Sequence, residues 1–255
     1  MRRIVGARTG TCMAGTVDFE RAWLAKFARG LREAVGEEMC REVMDGSEGL
    51  SADSAREEVI RWTEKAVRRL DHLVDTGGRR AILTGCGCQY PASELRPIRD
   101  AYEASAGDIQ LARRMLQEKF ESFLVDQLGL ESDIVGQIVR KGWGLAGVLK
   151  GDTIIATKIP KSGNLVAYLE EVDPQRKRQL YCHCPRIMEV LGGQDRAWAD
   201  SVAELYCYCG AGFYKGIWEE ILQRPVEVEV LESVLKGDDI CRIAVYLTPN
   251  AVSSG

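Results

Sequence analysis

Nine cysteines are spread along this 255-residue chain, and six of them fall in three Cys-x-Cys pairs: Cys86/Cys88, Cys182/Cys184 and Cys207/Cys209. Thiolate sulfur binds soft and borderline metals well, and four thiolates satisfy tetrahedral zinc or an iron–sulfur cluster. Zinc knuckles usually leave two to four residues between paired cysteines, whereas one intervenes here. On a strand, however, alternate side chains share a face, so each pair can still converge. Cys182, Cys184, Cys207 and Cys209 form the leading ligand set; Cys86, Cys88 and Cys241 are further candidates, and Cys12 and Cys40 are read as bystanders. The same residues also suit reversible thiol chemistry without a metal, or packing as small hydrophobes.

The third pair opens a glycine-rich stretch, Cys207-Tyr208-Cys209-Gly210-Ala211-Gly212, that runs into an aromatic helix. Gly210 and Gly212 are expected in a turn, with Cys209 near the helix N-terminus, where its pKa would be lowered. Tyr214 and Trp218 are candidates for a ligand pocket, and their three- and four-residue spacing suits a core equally well. Lys158 is the candidate cation for an anionic ligand, as an alternative to a solvated turn shared with Lys161. Glu170, Glu171, Glu219 and Glu220 are possible general acids or bases beside a metal pocket. With two histidines in the chain, a histidine-based site has few options, and neither a P-loop nor a dinucleotide fingerprint is present.

A net charge of −4 gives no reason to expect nucleic acid or anionic lipid as a partner. No stretch nears the roughly 18 apolar residues of a membrane helix, and no signal-peptide core follows the N-terminus. A cytoplasmic location is expected, where thiols stay reduced and clustered cysteines bind metal or react more often than they cross-link.

These residues must be positioned by two kinds of segment. Apolar periodicity predicts helices over 17–45, from a Ser54–Glu57 capping box to Gly77-Gly78, near 98–104, from an Asp108 cap to Gly129, and over 132–141. Residues 80–84 are expected to be extended. After Gly142 the pattern turns to strands: a hairpin around Lys150-Gly151-Asp152, strands at 165–169 and 178–181, and a pair at 226–232 and 240–247. Helices are expected from Pro185 to Val190, over 198–205, and after Gly212 as far as Pro225. The predicted class is α+β, with a helical region (1–142) packed on a cysteine-rich α/β domain (143–255), or both as one continuous domain.

The stretch from Cys207 to Gly212, the run Pro225–Val230, and Lys236-Gly237-Asp238-Asp239-Ile240-Cys241-Arg242 resemble the vinyl-reductase-type small-molecule-binding domain. They also resemble the L-2-amino-thiazoline-4-carboxylic acid hydrolase-like family. The resemblance covers about residues 180–247 and implies helices on an antiparallel sheet, with cysteines binding a metal. That pattern has a cysteine four residues before the hairpin glycine, where this chain has Ser233.

The expected function is therefore a cysteine-ligated zinc or iron–sulfur protein with a pocket for a small, anionic molecule, in a binding, sensor or cofactor-handling role. A metal-dependent hydrolase of a small heterocyclic carboxylate and a thiol-redox protein are the alternatives, and a homodimer is compatible with either.

Overall fold

A computed structural model describes residues 18–192 and 205–248. It has the α+β architecture, with helices filling the N-terminal half and a four-stranded antiparallel sheet in the C-terminal half. Among the described residues no helix is long and apolar enough to cross a membrane.

Helix α1 (Phe19–Met44) starts at Asp18, whose carboxylate accepts from the Glu20 and Arg21 amides. Trp23, Leu24, Phe27 and Leu31 line its buried face. Gly36, at φ 80°, interrupts the helical backbone, and beyond it Cys40 and Val43 point inward. The Cys40 thiol donates to the Ala28 carbonyl, 3.4 Å away, and is a packed core residue.

Helix α2 (Arg56–Leu73) begins without a capping box: the Ser54 hydroxyl instead accepts from the Ser51 amide, 3.0 Å away. Gly77-Gly78 does not end this helix. The two glycines lie in the first turn of α3 (Thr76–Gly85), capped by the Asp75 carboxylate, so the predicted extended piece at 80–84 is helical. Helix α4 (Ala92–Ala104) accommodates Pro97 in its second turn, and α5 (Ile109–Ser122) carries the expected Asp108 cap before a π turn at 123–127. Helix α6 (Ser132–Arg140) closes the first half.

Strands β1 (Val148–Lys150) and β2 (Thr153–Thr157) form the expected hairpin. Two predicted strands are helices instead: α7 (Leu165–Glu170) and α8 (Pro174–Tyr181). Pro174 at the first turn and the Asp173 carboxylate cap favour α8 over a strand. Helix α9 (Pro185–Gly192) follows; the helix expected over 198–205 falls almost wholly outside the described residues.

Helix α10 (Tyr208–Leu222) is followed by β3 (Glu227–Glu232) and β4 (Arg242–Tyr246). The strand order is β1-β2-β4-β3, with Ile155 opposite Ala244 and Val228 opposite Val245. The register shifts between Val230 and Glu232, where the alternation slips at Leu231.

One buried cluster joins both halves. It includes Phe27, Leu83 and Leu116 from the helical half, and Trp218, Ile154 and Val245 from the C-terminal half. Helix α10 is its axis, packing on α3 and α4 on one side and on β3 and β4 on the other.

Candidate thiol site

Three separate stretches bring four cysteines to the start of α10. Cys182 caps the C-terminus of α8, and Cys184 lies two residues on in the loop to α9. Cys207 is the N-cap of α10, and Cys241 immediately precedes β4.

Tyr181 ties this assembly together. Its hydroxyl donates to the Lys158 carbonyl and accepts from the Cys241 amide, 3.0 Å away. The Lys158 amide in turn donates to the Cys241 carbonyl at 3.0 Å, carrying the β2–β4 ladder one step past Thr157. These bonds fix Cys182, Lys158 and Cys241 against one another. Cys207 joins from α10 with its Sγ 3.1 Å from the Ser233 hydroxyl. Ser233 is fully buried, held by its own amide on Asp238 Oδ2 and by the Leu235 amide on its Oγ. The Cys184 Sγ lies 3.8 Å from the Tyr206 hydroxyl.

Lys158 points its amine into this group, with Nζ 3.8 Å from where a Cβ on Gly210 would stand. Among the described residues no carboxylate pairs with it. Burial alone would lower its pKa, but the sulfurs of Cys182, Cys241, Cys207 and Cys184 outweigh that and hold it above the usual lysine value. The thiols are shifted the other way. Burial, and then the neighbouring sulfurs, raise Cys182 well above the thiol range and push Cys207 up to about 12, while burial, with the Asp238 and Glu232 carboxylates behind it, raises Cys241. Without a metal these side chains are neutral thiols around an ammonium.

His183, between Cys182 and Cys184, turns away from the sulfurs. Its Nε2 lies 2.9 Å from the Ile159 carbonyl, which can only accept, so this nitrogen carries the proton. Burial, and then the Lys158 charge, bring its pKa down to about 3.

Cys209 corrects an expectation. It lies inside α10 rather than in a turn before it, and its pKa is pushed up to about 11 by burial, not lowered by the helix terminus. Two residues on a helix are about 200° apart around the axis, so Cys207 and Cys209 diverge where strand residues would converge. Cys207 meets Ser233 on the sheet side. Cys209 receives a hydrogen bond from Trp23 of α1 and feels the charge of Cys184 and Cys88.

The Cys86/Cys88 pair reaches Cys209 through a close helix crossing. Gly87 lies so near α10 that a Cβ there would stand 2.9 Å from the Cys209 carbonyl oxygen. Gly212 is closer still: its Cβ would fall 2.0 Å from the Thr84 carbonyl oxygen. Gly212 is therefore a helix contact rather than a turn or pocket residue. Cys86 is buried with its thiol on the Ile82 carbonyl, and burial drives its pKa upward.

The proposed pocket aromatics lie in the core. Trp218 is fully buried, and Tyr214, 3% exposed, donates to the Gly144 carbonyl at 3.3 Å. The glutamates lie elsewhere. Glu219 accepts from Lys215 and from the Val226 amide, and Glu220 pairs with Arg99. Twelve residues of helix separate Cys207 from Glu219, about 18 Å along the axis. The Glu171 carboxylate is used locally, on the Val172 and Asp173 amides.

Sequence alone contained no signal for Tyr181 or Trp23, whose roles depend on tertiary contacts. Cys12 lies outside the described residues.

Among the described residues, no three Cys, His, Asp or Glu side chains stand in a geometry that would hold an ion as they are. The donor chemistry does fit a thiophilic metal: buried and half-buried sulfurs in excess, with the Lys158 ammonium among them. The model of one protein family, described as a family of unknown function (DUF6144), matches residues 174–252. That segment carries Cys182, Cys184, Cys207, Cys209 and Cys241. No curated protein and no solved structure matches the chain.

Proposed function

We propose that this protein carries a cysteine-thiolate centre, zinc or an iron–sulfur cluster, and serves in small-molecule binding, sensing or cofactor handling. The observation that supports this reading is the convergence on Lys158 of cysteines from three separate stretches of the chain, held by the Tyr181 hydroxyl. Four thiolates on a divalent ion leave a net negative charge, and a half-buried ammonium with no carboxylate partner among the described residues offsets it. When bound, the metal or cluster would supply a closed, thiolate-rich centre. The chain's own part is to hold the sulfurs, keep His183 neutral and turned away, and exclude water.

A hydrolase of a small cyclic C–N substrate, such as an aminothiazoline carboxylate, is the weaker reading. Thiolate charge reduces Lewis acidity, and Glu171, Glu219 and Glu220 are committed to other partners. A thiol-redox protein is the second reading. It is favoured by the absence of ligating geometry among the described residues, which leaves the sulfurs as free thiols.

Anaerobic purification, elemental analysis and thiol titration separate these readings. Stoichiometric zinc, or iron with sulfide, supports the centre. Metal-free protein with nine titratable thiols and a reversible disulfide supports the redox protein.

A further inference from the structure

Helix α10 points Cys207 and Cys209 to different partners. The sheet side holds the Cys207 Sγ on Ser233 (3.1 Å), the Cys241 backbone amide on the Tyr181 hydroxyl (3.0 Å), Cys182 next to Tyr181 in sequence, and the Lys158 amide on the Cys241 carbonyl. The helical side holds Cys209 on Trp23, and Cys86 and Cys88 across the glycine crossing, with Cys184 bordering Cys209 as well as the first group. Cys184, beside Tyr206, completes the first group: it follows Cys182 by two residues, and the Cys182 thiol lies 3.9 Å from its carbonyl.

We infer that the thiolate centre consists of Cys182, Cys184, Cys207 and Cys241, with Lys158 as its internal counter-charge, and that Cys209, Cys86 and Cys88 lie outside it. This rests on the thiolate-centre reading and names its ligands. The reason is mechanical as well as electrostatic. The four sulfurs hang from the α8–α9 loop, the N-cap of α10 and the start of β4, all pinned around Tyr181 and Ser233. Cys209 is directed toward α1 and α3, where the Gly87 and Gly212 backbone contacts leave no freedom for α10 to rotate. Lys158 sits on the sheet side with its backbone fixed to Cys241, and the four sulfurs that hold its charge are those of this group.

The test uses the reduced full-length chain under anaerobic conditions, titrated with cadmium, whose sulfur-to-metal absorption scales with the number of thiolates. Cys207→Ser and Cys241→Ser should each lose about a quarter of that absorption, one thiolate of four. Cys88→Ser and Cys209→Ser should keep the wild-type spectrum and affinity. Lys158→Met should bind cadmium at least about tenfold more weakly, with Lys158→Arg restoring most of the loss. Circular dichroism on each variant separates lost ligation from lost folding, and the outer variants decide the matter if an inner one fails to fold. If Cys209→Ser loses as much absorption as Cys207→Ser, or Lys158→Met binds as tightly as wild type, the inference is overturned while the centre itself stands. If the wild-type chain gives no sulfur-to-cadmium absorption, both fall.

Discussion

Gly212 and Thr84 meet at a separation that leaves no room for a side chain at position 212: a Cβ there would lie 2.0 Å from the Thr84 carbonyl oxygen. A neighbouring backbone atom cannot swing aside as a side-chain tip can. This contact, with Gly87 against the Cys209 carbonyl, brings the Cys86/Cys88 segment onto α10 and sets the direction in which Cys209 points.

Gly212→Ala should therefore destabilise the protein by about 1–3 kcal/mol or more, because the crossing must open. Gly210→Ala should cost much less, since its Cβ meets only the Lys158 amine tip, at 3.8 Å. Thermal or urea unfolding of the two variants checks this, and equal losses would contradict the close crossing.

The half-buried, neutral His183 makes stability depend on pH. Its pKa is about 6.5 when unfolded and about 3 when folded, so the unfolded chain binds the extra proton between those values. The contribution is complete above about pH 6.5 and is lost as pH falls toward 3, at up to about 1.4 kcal/mol per unit. Lys158 and Lys161 face the ring and act in the same direction. His183→Gln should flatten the acid limb of a stability–pH profile measured on metal-free protein; an unchanged limb would place the proton uptake elsewhere.

Ser233 stands where the resembled pattern has a cysteine, and its hydroxyl touches Cys207 Sγ at 3.1 Å. Ser233→Cys should place another thiol beside the centre and tighten probe-metal affinity by about tenfold. Competition against a chromophoric chelator measures it. Unchanged affinity would mean that position 233 does not border the site.

Glu219 and Glu220 serve the far end of α10. Glu220→Gln should remove the Arg99 ion pair and cost about 0–1 kcal/mol, as partly exposed pairs do, with metal content unchanged. Metal loss in that variant, measured by elemental analysis, would bring the carboxylate into the site after all.

Much of the architecture follows from local chemistry that a sequence displays. The Asp108 cap, the Lys150-Gly151-Asp152 hairpin and the β3–β4 pair all lie where periodicity and turn residues place them. Short apolar runs fit either period: residues 80–84, 165–169 and 178–181 carry strand-like patterns and fold as helices, because Asp75 and Asp173 cap the first and the third and tertiary packing decides the second. The same ambiguity governed the site. A Cys-x-Cys pair converges on a strand and diverges on a helix, and Cys207/Cys209 stands at the start of a helix. The approach of Cys241 to Tyr181, and of Lys158 to four sulfurs, depends on strand pairing and loop packing that spacing along the chain does not encode.

The most direct test of the thiolate centre is X-ray absorption at the metal edge of anaerobically purified, full-length protein. A first shell of four sulfurs on zinc, or of sulfur and iron in a cluster, is the expected result. A shell dominated by nitrogen and oxygen, or protein that retains no metal while all nine thiols react, would contradict it.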